Sequence, residues 1–188
     1  RIIRPINYPP GTPGQGSVVV ELADGRKTRV DNAMGRLFME PLDDPFRSLN
    51  ELLTKHRLGA TVQAIVVDIH AEATSEKWAL GHMLDGRVSL VVGTHTHTPT
   101  ADHRILAAGT AFQTDAGMCG DYDSVIGMGK DAAVTRFVRK MPTDRLQPAE
   151  GEATVCGLMV ETDDRTGLAR RMAPLRLGGL LAQTQPDF

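Results

Sequence analysis

A chain of 188 residues is long enough for one domain with a substantial core, and its net charge of −2 excludes a broad basic face for nucleic acid. Two cysteines are too few for a disulfide scaffold. No apolar run reaches the roughly 18 residues of a membrane span, and no signal-peptide pattern opens the chain. These features describe a soluble cytoplasmic protein with free thiols. They leave a nucleotide substrate open, since metal and a few local donors suffice to hold one.

Arg1-Ile2-Ile3-Arg4-Pro5 has no initiating Met and reads as a strand entered midway, so this chain is expected to be the later portion of a longer polypeptide. The Pro- and Gly-rich stretch 7–16 is a loop, with Asn7, Tyr8 and Thr12 available to line a pocket. Residues 17–22 and 27–30 flank Ala23-Asp24-Gly25-Arg26, the signature of a hairpin turn. Asp44 as N-cap and Pro45 at the first helical position open a helix through about His56. The apolar run 62–70 is a buried strand that ends in His70. Thr74 or Ser75 then caps a helix to about Leu84, and Glu76 near its start compensates the helix dipole.

The β-branched run 88–92, bounded by Gly86 and Gly93, is a second buried strand, and it leads into Gly93-Thr94-His95-Thr96-His97-Thr98. Short strands follow at 105–107 and 110–114. The Gly-rich loop at 115–123 lacks the lysine of a phosphate cradle. Ala133, Val134, Phe137 and Val138 have the spacing of a helix from Asp131 to about Lys140. Residues 152–160 and 168–175 form a closing strand pair, and the tail from Gln183 is expected to fray. Hairpins at both ends and two strand–helix units between them make an α/β fold, a mixed sheet with covering helices in a single domain.

Chemistry concentrates at the two buried strand ends. In an extended chain the side chains of His95 and His97 point to the same side, with Cα atoms roughly 6.6 Å apart, so both can converge on one metal or on two adjacent metals. An isolated His-x-His is more often a hydrogen-bonded pair than a ligand set. His70 at the neighbouring strand end adds a third imidazole and tips the balance toward metal. Glu72 and Glu76 are acid–base candidates by type. His82 lies inside a helix, and neither Cys119 nor Cys156 has a partner at ligand spacing.

Several segments together resemble the YmdB-like metallophosphoesterases. They are Arg4-Pro5, Asn7-Tyr8-Pro9-Pro10-Gly11-Thr12-Pro13-Gly14, Leu42-Asp43-Asp44-Pro45-Phe46, Asp68-Ile69-His70-Ala71-Glu72-Ala73-Thr74-Ser75-Glu76-Lys77, Gly93-Thr94-His95-Thr96-His97, Thr100-Ala101-Asp102 and Thr114-Asp115-Ala116-Gly117-Met118. The resemblance implies the later portion of a mixed-sheet metallophosphoesterase sandwich with covering helices. It also implies a two-metal phosphodiesterase acting on cyclic nucleotides, and a homo-oligomer.

The resemblance gives His70 and His95 to one metal and His97 to the other. Independently of it, Asp68, two residues before His70 on the same strand face, and Asp115 can act as acceptors behind ligand imidazoles. The family draws its remaining ligands from an N-terminal segment: an Asp, a bridging Glu followed by Asn, and a second Asn followed by the His that protonates the leaving group. None of that segment is found here, so residues 1–188 are expected to be one domain lacking its N-terminal part, and no catalytic acid carries a number in this chain. Imidazole with oxygen ligands suits iron or manganese. Two such ions about 3.5–4 Å apart clamp a phosphate and activate a water. The expected partner is a small phosphate ester, with neither a membrane nor a stable nucleic-acid complex. The alternatives are a phosphomonoesterase or nuclease on the same scaffold, or a non-enzymatic binding or assembly module if the chain is naturally truncated.

Overall fold

In the strand β3 (Ala64–His70), Ile65, Val67 and Ile69 are fully buried while Ala64, Val66, Asp68 and His70 alternate with them on the other face. That alternation organises the computed structural model, which describes residues 2–188. β3 lies between β2 (Lys27–Met34) and β4 (Leu90–Thr94), parallel to both. β1 (Ser17–Glu21) joins β2 as the antiparallel hairpin expected from Asp24-Gly25. On the far side β6 (Ala111–Gln113) runs parallel to β4, and β5 (Arg104–Ile105) closes the sheet antiparallel to β6, giving the order β1-β2-β3-β4-β6-β5.

The parallel pairs β2–β3 and β3–β4 need crossovers, and two helices supply them. α1 (Pro45–Lys55) connects β2 to β3 and α2 (Thr74–Leu84) connects β3 to β4. Leu49 and Leu53 of α1 and Leu80 and Leu84 of α2 pack with Ile65, Val67, Ile69, Val91 and Phe112 in one core on that face. Asp44 caps α1, its Oδ1 accepting from Phe46 N at 2.9 Å and Arg47 N at 3.3 Å. α2 has no side-chain cap. Its N-cap is Ala73, and the carboxylate of Glu76 turns instead to the backbone N–H groups of Arg36 and Leu37. The expected Thr74 or Ser75 cap is therefore replaced by a clasp between α2 and the loop after β2.

A second, three-stranded sheet covers part of the opposite face. β7 (Gly120–Asp121), β8 (Ala153–Thr162) and β9 (Ala169–Leu177) pair antiparallel. Leu158, Val160, Ala169 and Met172 pack on Val66, Leu90, Val92 and Ala111. The same face of β1 and β2 carries an apolar groove of about 550 Å³ whose lining includes Ile3, Val18, Val20 and Val30. The architecture is the expected mixed α/β sandwich.

Two local expectations differ. α3 (Lys130–Arg139) forms where the spacing placed it, yet only Ala133 is buried while Val134, Phe137 and Val138 are exposed. The tail is tied rather than frayed. Arg176 and Thr184 exchange backbone hydrogen bonds, and Arg171 pairs with Asp187 and stacks on the Phe188 ring. Asn7 is also structural, because its buried amide joins Met34 and the Asp43 carbonyl.

Gly93 is where β4 passes closest to its neighbours. A Cβ there would collide with the Thr114 carbonyl and approach Lys77 Cδ to 2.8 Å. Gly93→Ala is expected to destabilise the fold by about 3 kcal/mol, the upper end of the cost of overpacking. Denaturant unfolding checks this, and an unchanged midpoint would contradict it.

Candidate metal centre

The C-terminal ends of β2, β3 and β4 lie side by side, and the parallel register aligns Asn32 with Asp68 and His70 with Thr94. Such strand ends are where open α/β sheets place their sites. Asp68 takes a hydrogen bond from Asn32 Nδ2 at 2.7 Å and another from the Thr94 hydroxyl at 2.8 Å. Having donated to Asp68, the Thr94 oxygen is the acceptor for His70 Nδ1–H at 3.1 Å. Asp68 thus stands behind His70 through a hydroxyl relay rather than in contact with it. The relay fixes the tautomer and leaves the His70 Nε2 lone pair pointing outward.

That lone pair faces His95. His95 Nδ1 lies 3.1 Å from His70 Nε2, with the two rings edge-on at 87°. On its other side His95 Nε2 bonds the Glu72 carboxylate at 2.9 Å. With Nε2–H committed to Glu72, Nδ1 is the free nitrogen. Two facing lone pairs repel unless a proton or a cation lies between them. Metal–imidazole bonds of 2.0–2.1 Å at a tetrahedral angle put ligand nitrogens about 3.3 Å apart, so the observed gap suits a cation.

His97 takes a different direction. β4 ends at Thr94, and His95 and His97 have φ values of 112° and 65°, so the alternation of an extended chain does not continue through them. His97 Nδ1 donates to the Ile126 carbonyl at 2.9 Å, which leaves its Nε2 free. The His-x-His side chains therefore go to different neighbours, contrary to the extended-chain picture of a shared direction. Among the described residues, no group of three or more His, Cys, Asp or Glu side chains could hold a metal ion.

Asp115 also differs from expectation. Its hydrogen-bond partners are the Lys77 ammonium and the backbone N–H groups of Thr96 and Gly117, and none is an imidazole. It reaches the histidines through the main chain between them. Tyr122 adds a second anchor, its hydroxyl lying 3.0 Å from the His97 carbonyl. Burial, followed by the hydrogen bond with Cys156, pushes the Tyr122 phenol well above its ordinary value and keeps it a neutral hydroxyl. Burial pushes Asp102 up, but hydrogen bonds from Thr100 and Thr114 outweigh it, so a charged carboxylate holds the strand end below the site.

Glu72, Thr94 and Tyr122 are residues that the spacing argument did not assign to the histidines. The signal for Glu72 was its position two residues beyond His70, the period that places neighbours on one side of a strand.

Burial and then the neighbouring His95 lower the His70 pKa below its ordinary 6.5, favouring the neutral imidazole. The sign follows from linkage: with the folded value depressed, the unfolded chain takes up protons first on acidification. The thermal midpoint of metal-free protein is expected to fall as pH drops below 6.5, and His70→Asn should remove part of that fall. Equal pH profiles for the two proteins would contradict this assignment.

Known proteins match this chain over most of its length. The sequence pattern of the family described as YmdB-like protein matches residues 1–175. A protein of Bacillus subtilis (strain 168) named 2',3'-cyclic-nucleotide 2'-phosphodiesterase is 48% identical over 165 residues, 88% of this chain and 61% of the relative. The crystal structure of a hypothetical protein from Thermus thermophilus superposes with a TM-score of 0.86 at 42% identity, covering 95% of this chain and 68% of that one. The structure of a novel phosphatase from Mycoplasma pneumoniae gives 0.84 at 34% identity, covering 94% and 63%. The chain spans about three fifths of the length of the curated relatives it matches.

Proposed function

Since the chain belongs to the YmdB-like family, we propose that it carries the histidine side of a two-metal phosphodiesterase centre that hydrolyses 2',3'-cyclic nucleotides. The observation that carries this reading is the pair His70 Nε2 and His95 Nδ1. They face each other at 3.1 Å with their other nitrogens already committed to Thr94 and Glu72. His97 Nε2, with Nδ1–H held by Ile126, serves the second ion. Iron or manganese suits imidazole joined by carboxylate and amide oxygens. When bound, two such ions would supply phosphate clamping, activation of a water and stabilisation of the leaving oxygen.

The protein's own groups hold this arrangement in place. The Asp68–Thr94 relay orients His70, Glu72 orients His95, and Ile126 orients His97. Residues 1–188 act as a single domain of the metallophosphoesterase sandwich. Three imidazoles do not fill the coordination of two ions, so the centre also requires oxygen ligands and an acid for the leaving group. Exposed Val134, Phe137 and Val138 on α3 support a homo-oligomer, and the free thiols of Cys119 and Cys156 support a cytoplasmic setting. No helix among the described residues is long and apolar enough to cross a membrane.

Phosphomonoester hydrolysis is the second reading, favoured by the neighbouring structure described as a phosphatase. A panel of 2',3'-cyclic AMP, bis(p-nitrophenyl) phosphate and p-nitrophenyl phosphate with Mn²⁺ separates the two. The phosphodiesters are expected to turn over fastest. His95→Ala and His97→Ala are each expected to lower that rate by about 100-fold or more, at least the upper end of losses on removing outer-shell partners. Faster turnover of the monoester would favour the second reading, and full activity in either variant would overturn the histidine assignment.

A further inference from the structure

We propose that the buried Lys77–Asp115 ion pair sets the conformation of the histidine loop, making Lys77 a positioning residue for metal although it hydrogen-bonds no histidine. The inference rests on the reading of His95 and His97 as ligands. Lys77 is fully buried, and its Nζ lies 3.1 Å from Asp115 Oδ2. The same Oδ2 accepts Thr96 N–H at 2.9 Å, while Oδ1 accepts Gly117 N–H at 2.9 Å. Thr96 is the residue between His95 and His97.

Both histidines hold positive φ values, a costly conformation for residues with a Cβ, and such backbone persists only where its surroundings over-determine it. The determinants are the grip of Asp115 on Thr96, the hydrogen bond from Ala116 N to Gly93 O at 2.9 Å, and those that Met118 N at 3.1 Å and the Tyr122 hydroxyl at 3.0 Å give to the His97 carbonyl. The first is the only one of these that depends on a charge. Lys77 places an ammonium beside this buried carboxylate and fixes the same Oδ2 that accepts Thr96 N–H. Buried ion pairs are weak sources of stability compared with apolar side chains of the same volume, so what this one provides is geometry.

The molecule contains its own control. Arg29 and Asp31 form an equally buried pair at 2.8 Å, but Asp31 accepts from Arg29 and Ser17 and bonds no residue of the histidine loop. A general need for buried charge would make the two pairs equivalent.

The test compares Lys77→Met with Arg29→Met for Mn²⁺ affinity by calorimetry and for hydrogen exchange of the Thr96 amide in metal-free protein. Lys77→Met is expected to weaken Mn²⁺ binding roughly 10–100-fold, the range for residues that orient metal ligands, and to speed Thr96 exchange about tenfold or more. Arg29→Met is expected to lower the thermal midpoint yet leave Mn²⁺ affinity within about twofold. If Lys77→Met does not fold, Asp115→Asn, which keeps the side-chain size, takes its place with the same expected outcome. Parent-like Mn²⁺ affinity together with parent-like Thr96 protection would overturn the proposal. Failure of the parent itself to bind Mn²⁺ would refute the ligand reading instead, and Thr96 exchange would then decide the clamp alone.

Discussion

Two imidazole nitrogens face each other at 3.1 Å, and both rings have their other nitrogen tied to an acceptor. That geometry is unfavourable for two neutral rings with opposed lone pairs, and everything around it works to maintain it. The parallel register of β2, β3 and β4 places Asn32, Asp68, Thr94 and His70 in one ladder. Each rung commits the donor of the next group, so His70 cannot turn its free nitrogen inward. Glu72 does the same for His95 from the solvent side. The sheet thus acts as a template whose hydrogen-bond directions end at a single point.

The second half of the arrangement depends on close approach. β4 lacks a side chain at Gly93, which lets the strand run against the Thr114 carbonyl and the stem of Lys77. The main chain then leaves the sheet through two histidines in left-handed conformations and is held from beneath by Asp115. Extended backbone would have aimed both rings to one side. The bend sends them to separate neighbours, His95 to His70 and Glu72 and His97 to the Ile126 carbonyl.

Much of this was legible in the chain, and the failures have identifiable physical causes. The apolar alternation of β3, the Asp44-Pro45 start of α1 and the Asp24-Gly25 turn are local signals, and local interactions carry them into the structure. The direction of His97 was not legible, because β4 stops at Thr94 through contacts with residues about 20 positions away in sequence. The burial of Lys77 ran against its charge, yet Lys77, Leu80, Gly81 and Leu84 share the i, i+3, i+4, i+7 stripe of α2. A lysine on an apolar stripe signals a buried partner, and Asp115 is that partner. The α3 stripe shows the limit of such patterns: its spacing specified a helix, while Val134, Phe137 and Val138 stayed uncovered.

The most direct measurement is an anomalous-scattering crystal structure of the protein with Mn²⁺ bound, collected on both sides of the manganese edge. A manganese peak between His70 and His95, within about 2.3 Å of both His70 Nε2 and His95 Nδ1, is the predicted result, a little beyond the zinc–nitrogen distance. An intact His70–His95 contact with manganese bound only elsewhere, or not at all, would contradict the account.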